Sequence, residues 1–336
     1  MRKATRVSPT DPIPTLPLPP DARAEAYLDR DLAPDLDRDL DYVRTAPRHL
    51  VARSAVAEVL ITDWRQLGPD TFRLGAQWPR GHHFYAPVAG TWYDPLLAAE
   101  SLRQASVLVG QTYYGVPADH HFTIAELEFE VVPGALLLGA RPAEMRLEFT
   151  ATDVRRRRGT LTALTLEADL LRGGDYAGAG RLTLHVSDRR DPAAGEGGGY
   201  PPLPDPVPPA IVGRLDEHDV VLGVPASAAE RRGLAWDLRI DPGHPVLFDH
   251  PTGDVPGMVL LEAARQAVQA ACAPYRVLPV ELRSAFHHPV ALSTPCHISA
   301  TRLPTQDATE DAALRVTAWQ SNRLTFDSLV VAHTCD

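Results

Sequence analysis

Sliding the chain along itself by 162 residues places Gly81-His82 on Gly243-His244, and Glu100, Arg103, Gln104 and Ala105 on Glu262, Arg265, Gln266 and Ala267, without a gap. The alternating apolar positions Phe72, Leu74, Ala76 and Trp78 fall in the same register on Leu234, Trp236, Leu238 and Ile240. Strand phase and helix phase agree over about thirty residues, the mark of an internal duplication. This limits the fold more than any other feature, because each half must then build the same unit.

Each copy reads alike. A strand pair with a turn opens it ("AEVLITDWRQLGPDTFRLGAQW" and "HDVVLGVPASAAERRGLAWDLRI"), followed by a loop carrying Gly-His. One long helix comes next, over about residues 95–110 and 257–272, started by Pro95 and by Pro256-Gly257. The remainder alternates as strands, among them "FTIAELEFEVV" and "GTLTALTLEADLL" in the first half and "ALRVTAWQS" in the second. One helix against a curved antiparallel sheet is an α+β layer packing, and two copies make an internal pseudo-dimer. Residues 1–47, rich in Pro and Asp, read as a flexible leader, and 191–211, dense in Gly and Pro, as a linker. The repeats are then 48–190 and 212–336.

Composition narrows the function. The net charge of −10 argues against nucleic acid and anionic membrane as partners. No run of 18 apolar residues and no secretory signal is present, so a cytoplasmic protein is expected. Three cysteines without ligand spacing, and histidine pairs whose members point to opposite faces of a strand, argue against a metal. No cofactor is expected, since no glycine-rich phosphate loop occurs.

In "PGMVLLEAARQAVQA" the polar residues Glu262, Arg265, Gln266 and Gln269 stand at i, i+3, i+4 and i+7, along one line of the helix. Such a stripe is ordinarily the wet side of an amphipathic helix, with the Glu–Arg pair contributing about 0.3–0.5 kcal/mol. Here Glu100, Arg103 and Gln104 repeat it, whereas a solvated face tolerates any polar residue, so the stripe is read as functional.

"HPVLFDHPTGDVPGMVLLEAARQA" and "GHHFYAPVAGTWYDPLLAAESLRQA" resemble the two repeats of the A-factor biosynthesis (AfsA-like) family, which makes γ-butyrolactone and related furan signalling molecules. The resemblance runs from about "PRHLVARSAVAEVLITDW" to the carboxyl terminus and implies a tandem double hot-dog fold. It implies an acyltransferase that condenses a β-ketoacyl thioester, borne by an acyl carrier protein, with dihydroxyacetone phosphate, as a monomer or a homodimer. The family is similar in turn to hot-dog dehydratases, whose catalytic His lies about fourteen residues before the acid; Phe248 and Ala86 stand there instead. A dehydratase, a thioesterase and a non-catalytic acyl-binding module remain as alternatives.

For acyl transfer the expected catalytic residues are Glu262 and Glu100, as bases whose pKa an apolar tunnel raises, with His250 and His82 as accessory candidates. The amides of Gly257 and Met258, opening a helix, suit the thioester carbonyl. Arg265 and Arg103 suit the substrate phosphate, with Gln266 and Gln104 as further substrate contacts. Arg155, Arg156, Arg157 and Arg158, read as a hairpin turn before Gly159, suit docking of an acidic carrier protein.

Overall fold

The computed structural model describes residues 40–188, 200–225, 233–304 and 311–335. Period-two burial builds its strands: in β2 (Thr71–Trp78), paired with β1 (Ile61–Gly68), the side chains of Phe72, Leu74, Ala76 and Trp78 are buried. Helix α1 (Leu96–Thr112) follows, then β3 (His121–Val131), β4 (Ala143–Arg157), β5 (Thr160–Arg172) and β6 (Asp175–Ser187). The second half repeats the order with β7 (Leu222–Gly223), β8 (Ala235–Leu238), α2 (Gly257–Cys272), β9 (Arg276–Phe286), β10 (His297–Arg302), β11 (Asp311–Gln320) and β12 (Arg323–Cys335).

All twelve strands form one antiparallel sheet in the order β1-β2-β4-β5-β6-β3-β9-β12-β11-β10-β8-β7. The order of each half is the same read outward from the centre, so a pseudo-twofold axis passes between β3 and β9. The two edges that would otherwise invite aggregation cover each other there, through five pairs from Glu126↔Ala285 to Glu130↔Glu281. Both helices are wrapped by the sheet, which is why nearly every residue of α1 is buried, including Leu97, Ala98, Leu102 and Leu108. Gly180 of β6 permits the close approach: a Cβ there would lie 2.3 Å from Leu102 Cδ1.

The hot-dog architecture is as expected; its edges are tighter than the composition suggested. Residues 1–39 of the expected leader and 189–199 around the linker lie outside the described residues. Leu40 and Ala46, placed in the leader, are buried, and Ala46 N donates to Ile61 O. Val207, near the end of the linker, is buried too, as is Val212 at the start of the second repeat, and Val207 N donates to Leu222 O. A proline-rich segment can dock on a sheet edge through the few residues that retain an N–H.

Arg158 (φ 53°) and Gly159 (φ 87°) form the tight turn of the β4–β5 hairpin, with Arg155 to Arg158 exposed around it. Among the described residues no helix is long and apolar enough to cross a membrane.

Candidate active site

The polar stripe of α2 is neither a solvated face nor a tunnel floor. Glu262, Arg265 and Gln266 are 0%, 4% and 0% exposed, and Glu262 is gripped by two arginines. Arg214 Nε and Nη2 lie 2.8 and 2.6 Å from its two carboxylate oxygens, and Arg265 Nε and Nη2 lie 2.9 and 2.8 Å from them. Gln266 Nε2 adds a bond of 2.6 Å to Oε1 and donates to Asp219 O, while its Oε1 accepts from Val221 N. Around Glu100 the same knot recurs with Arg53 (2.6 Å), Arg103 (2.7 Å) and Gln104 (2.6 Å).

Each knot ties the halves together. Arg53 of the first half donates to Val246 O of the second, while Arg214 of the second donates to Phe84 O and Asp94 Oδ2 of the first. Sequence reasoning missed Arg53 and Arg214. The signal was present as Val51-Ala52-Arg53 and Val212-Gly213-Arg214, whose spacing is one residue less than that of the helices, so a gap-free comparison passes over it. The middle residue is left-handed in both, with φ 49° at Ala52 and 71° at Gly213.

This geometry corrects the expected chemistry of both glutamates. Burial pushes each carboxyl up, but the facing guanidinium pairs and their hydrogen bonds outweigh it, bringing Glu262 and Glu100 down to about 2. A carboxylate so held is a poor proton acceptor near neutrality, the reverse of a raised general base. Arg265 and Arg103 are likewise spent on the knots, donating also to Val212 O and Val51 O, rather than presented to a phosphate. Gln104 is used up by Glu100, Glu58 O and Leu60 N, as Gln266 is by its counterparts.

His82 is a loop fastener: its Nδ1 accepts from Phe84 N and Tyr85 N at 3.1 and 3.0 Å, and its Nε2 lies 3.3 Å from Glu58. His244 does the same with Val246 N, Leu247 N and Asp219. His250 differs, because its side chain is 27% exposed in the loop leading into α2, with Nδ1 3.7 Å from Asp249 Oδ2. Asp249 itself accepts from Ser54 N and Ala55 N of the other half.

The two helix starts have diverged. Asp94 Oδ1 caps α1 by accepting from Leu96 N at 2.9 Å, whereas among the described residues no side chain caps α2, where Pro256 stands before Gly257. The first amides of α2, at the partly exposed Gly257 and the buried Met258, thus lie without a side-chain cap at the positive end of its dipole. Gly257 is partly exposed, and a Cβ on it would lie 3.1 Å from Ile124 Cδ1 and 3.2 Å from Phe286 Cε1. Asp254, three residues earlier, has its carboxyl pushed up by burial against an opposing pull from His121. The hydroxyl of Thr252 is buried without a hydrogen-bond partner among the described residues. Among those residues no group of three or more His, Cys, Asp or Glu is placed to hold a metal ion.

A sheet of this order around paired central helices is that of a two-repeat hotdog protein. The model of the A-factor biosynthesis hotdog domain (AfsA) matches residues 35–188 and 199–335, and the chain belongs to that family. It is 41% identical over 293 residues to a 2-oxo-3-(phosphooxy)propyl 3-oxoalkanoate synthase of Streptomyces virginiae, covering 85% of this chain and 97% of that one. Over 312 residues it is 34% identical to a synthase of the same name from Streptomyces griseus, covering 91% and 97%. Among solved structures, a 12:0-ACP thioesterase from Umbellularia californica matches with a TM-score of 0.49 and 5% identity, covering 79% of this chain and 94% of that one.

Proposed function

We propose that the protein is an acyltransferase that moves a 3-oxoacyl group from a thioester to the primary hydroxyl of dihydroxyacetone phosphate, giving a 2-oxo-3-(phosphooxy)propyl 3-oxoalkanoate. The observation that carries this is the match to a synthase of that product, 41% identical over 293 residues that make up 85% of this chain and 97% of that one. The mechanism follows from the open end of α2. The amides of Gly257 and Met258 receive the thioester carbonyl and hold the oxyanion that forms on attack. His250, steadied by Asp249, takes the hydroxyl proton and returns it to the leaving thiolate. The knots at Glu262 and Glu100 hold the two helices and their loops in register, so their arginines act by positioning. An acidic carrier protein docks at the Arg155–Arg158 hairpin.

Transfer runs downhill because a thioester lacks much of the resonance stabilisation of an ester. Incubated with a 3-oxoacyl thioester, the protein is expected to release thiol only when dihydroxyacetone phosphate is present, and to form a phosphorylated ester that mass spectrometry detects. Thiol release independent of that acceptor would identify a thioesterase and refute the proposal, as would no release at all.

A further inference from the structure

Where each helix begins, the two repeats match bond for bond. Leu97 N donates to Asp94 O at 2.9 Å and, 162 residues on, Val259 N donates to Pro256 O at 3.0 Å, so Pro256 stands in the place of Asp94. The arginines match as well. Arg214 holds Glu262 through Nε and Nη2 while its Nη1 donates to Phe84 O. Arg53 holds Glu100 through Nε and Nη2 while its Nη1 donates to Val246 O, the counterpart of Phe84 O.

What these two frames enclose differs. At α1 the Asp94 carboxylate bridges helix and guanidinium: Oδ1 accepts from Leu96 N at 2.9 Å and Oδ2 from Arg214 Nη1 at 3.1 Å. At α2 the corresponding donors are Met258 N and Arg53 Nη1. Proline closes its ring on its own nitrogen and carries no side-chain acceptor, so position 256 cannot bridge them. Among the described residues Arg53 Nη1 has Val246 O as its one acceptor, although it carries two N–H groups, and no side chain caps Met258 N. Gly257 adds a further N–H where α1 has Pro95. Arg53 is only 9% exposed, so an unmatched N–H there is shielded from water and costly to leave unpaired. The Phe84 ring covers the guanidinium of Arg214, 4.5 Å from centroid to carbon, whereas Val246 brings no ring to Arg53. The loop beside these donors reaches the surface at Gly253 and Gly257, both partly exposed.

We propose that the Asp94 carboxylate marks at α1 the position that the 1,3-dicarbonyl of the 3-oxoacyl thioester takes at α2, with the thioester oxygen on the amides of Gly257 and Met258 and the 3-oxo oxygen on Arg53 Nη1. The inference rests on the acyl-transfer reading above and adds the residue that selects the acyl group. A 3-oxoacyl thioester turns both oxygens to one side of a plane much as a carboxylate holds its two, set slightly further apart. Once the thioester oxygen sits on the helix amides, the atom that reaches Arg53 is the 3-oxo oxygen. A saturated chain offers a methylene there and leaves the buried N–H unpaired, the kind of mismatch that discriminates strongly. A hydrogen bond from a charged donor also draws electron density from the dicarbonyl, which makes the thioester carbon easier to attack. Arg53 therefore ties the Glu100 knot and reads the substrate as well. The start of α1 is filled by its own carboxylate and takes no acyl group.

Pro256→Asp supplies the acceptor that α2 lacks and tests the pocket in the full-length protein, with Pro256→Ala as the control that removes the ring without adding one. The probe is a 3-oxoacyl amide of N-acetylethylenediamine, an unreactive copy of a short thioester. Calorimetric titration should show it binding the wild type and Pro256→Ala, and binding Pro256→Asp at least about tenfold more weakly. The aspartate should also raise the unfolding temperature by about 2 °C or more, as a new helix cap does. The matching saturated amide should bind the wild type at least about tenfold more weakly than the 3-oxo amide. Arg53→Lys keeps a cation facing Glu100 but loses the Nη1 donor. With thiol release as the readout, kcat/KM of the wild type should favour the 3-oxoacyl over the saturated thioester by about tenfold or more, and that of the lysine variant by less than about threefold. If the lysine variant does not fold, the amide titrations decide alone. No binding of the 3-oxo amide to the wild type, equal binding of the two amides, or equal binding of the 3-oxo amide to the aspartate and alanine variants would overturn the proposal. So would an unchanged substrate ratio in Arg53→Lys, or a defect confined to the KM for dihydroxyacetone phosphate, which would give the pocket to the phosphate. If thiol release proves independent of dihydroxyacetone phosphate, the reaction assignment fails while the titrations still decide the pocket.

Discussion

Glu262 faces two guanidinium groups inside the protein, and that fixes what its substitution does. Glu262→Gln leaves Arg214 and Arg265 buried with their main counter-charge gone, a loss of about 3–5 kcal/mol in the usual range for breaking a buried pair. Urea unfolding of the variant is the check. Turnover measured where the variant is still folded should fall by less than the ~10²-fold or more that removal of a general base costs. The same residue sets the acid limit. Glu262 and Glu100 have folded values of about 2 against an ordinary 4.5, so the stability they contribute is complete above pH 4.5 and is lost as pH falls towards 2. Glu262→Gln should therefore show a shallower fall in stability between pH 4.5 and 2 than the wild type.

At the scale of the element, the start of α2 separates shape from hydrogen bonding. Proline is tolerated at the first position of a helix, so Gly257→Pro removes one N–H without breaking α2. Gly257→Ala places a similar carbon against Ile124 and Phe286 but keeps the donor. If that amide holds the oxyanion, kcat of the proline variant should be about 10²–10³-fold below that of the alanine variant, as for other lost oxyanion donors. Steady-state kinetics with one thioester decide it, and equal rates would remove Gly257 N from the mechanism. The corresponding end of α1 is closed by Asp94, which both caps Leu96 N and receives Arg214.

For the whole molecule, the crossing of Arg53 and Arg214 into opposite halves means that neither repeat is complete alone. Residues 200–336 in isolation would strip Phe84 O and Asp94 from Arg214 and expose the long edge of β9. That fragment is expected to aggregate or to lack cooperative unfolding. The intact chain should unfold in one transition, coincident by far- and near-ultraviolet circular dichroism. Two separated transitions would show the knots to be weaker than their geometry implies.

The duplication, the strand phases and both helix starts were legible in the residues, because periods of two and about 3.6 and a proline at a helix entry are local properties. So were the hairpin at Arg158-Gly159 and the membership of Glu262, Arg265 and Gln266 in one helical line. What that line does was not legible. Arg214 lies 48 residues from Glu262 and Arg53 lies 47 from Glu100. Nothing local tells a wet helix face from one enclosed by a second helix and a wrapped sheet. The sign of the glutamate shift turned on that, since burial alone raises a carboxyl and two enclosed guanidiniums lower it. Sequence alone determined the repeating unit and its local geometry; tertiary structure decided which charges are neutralised and which surfaces stay open, because burial and pairing depend on distant segments.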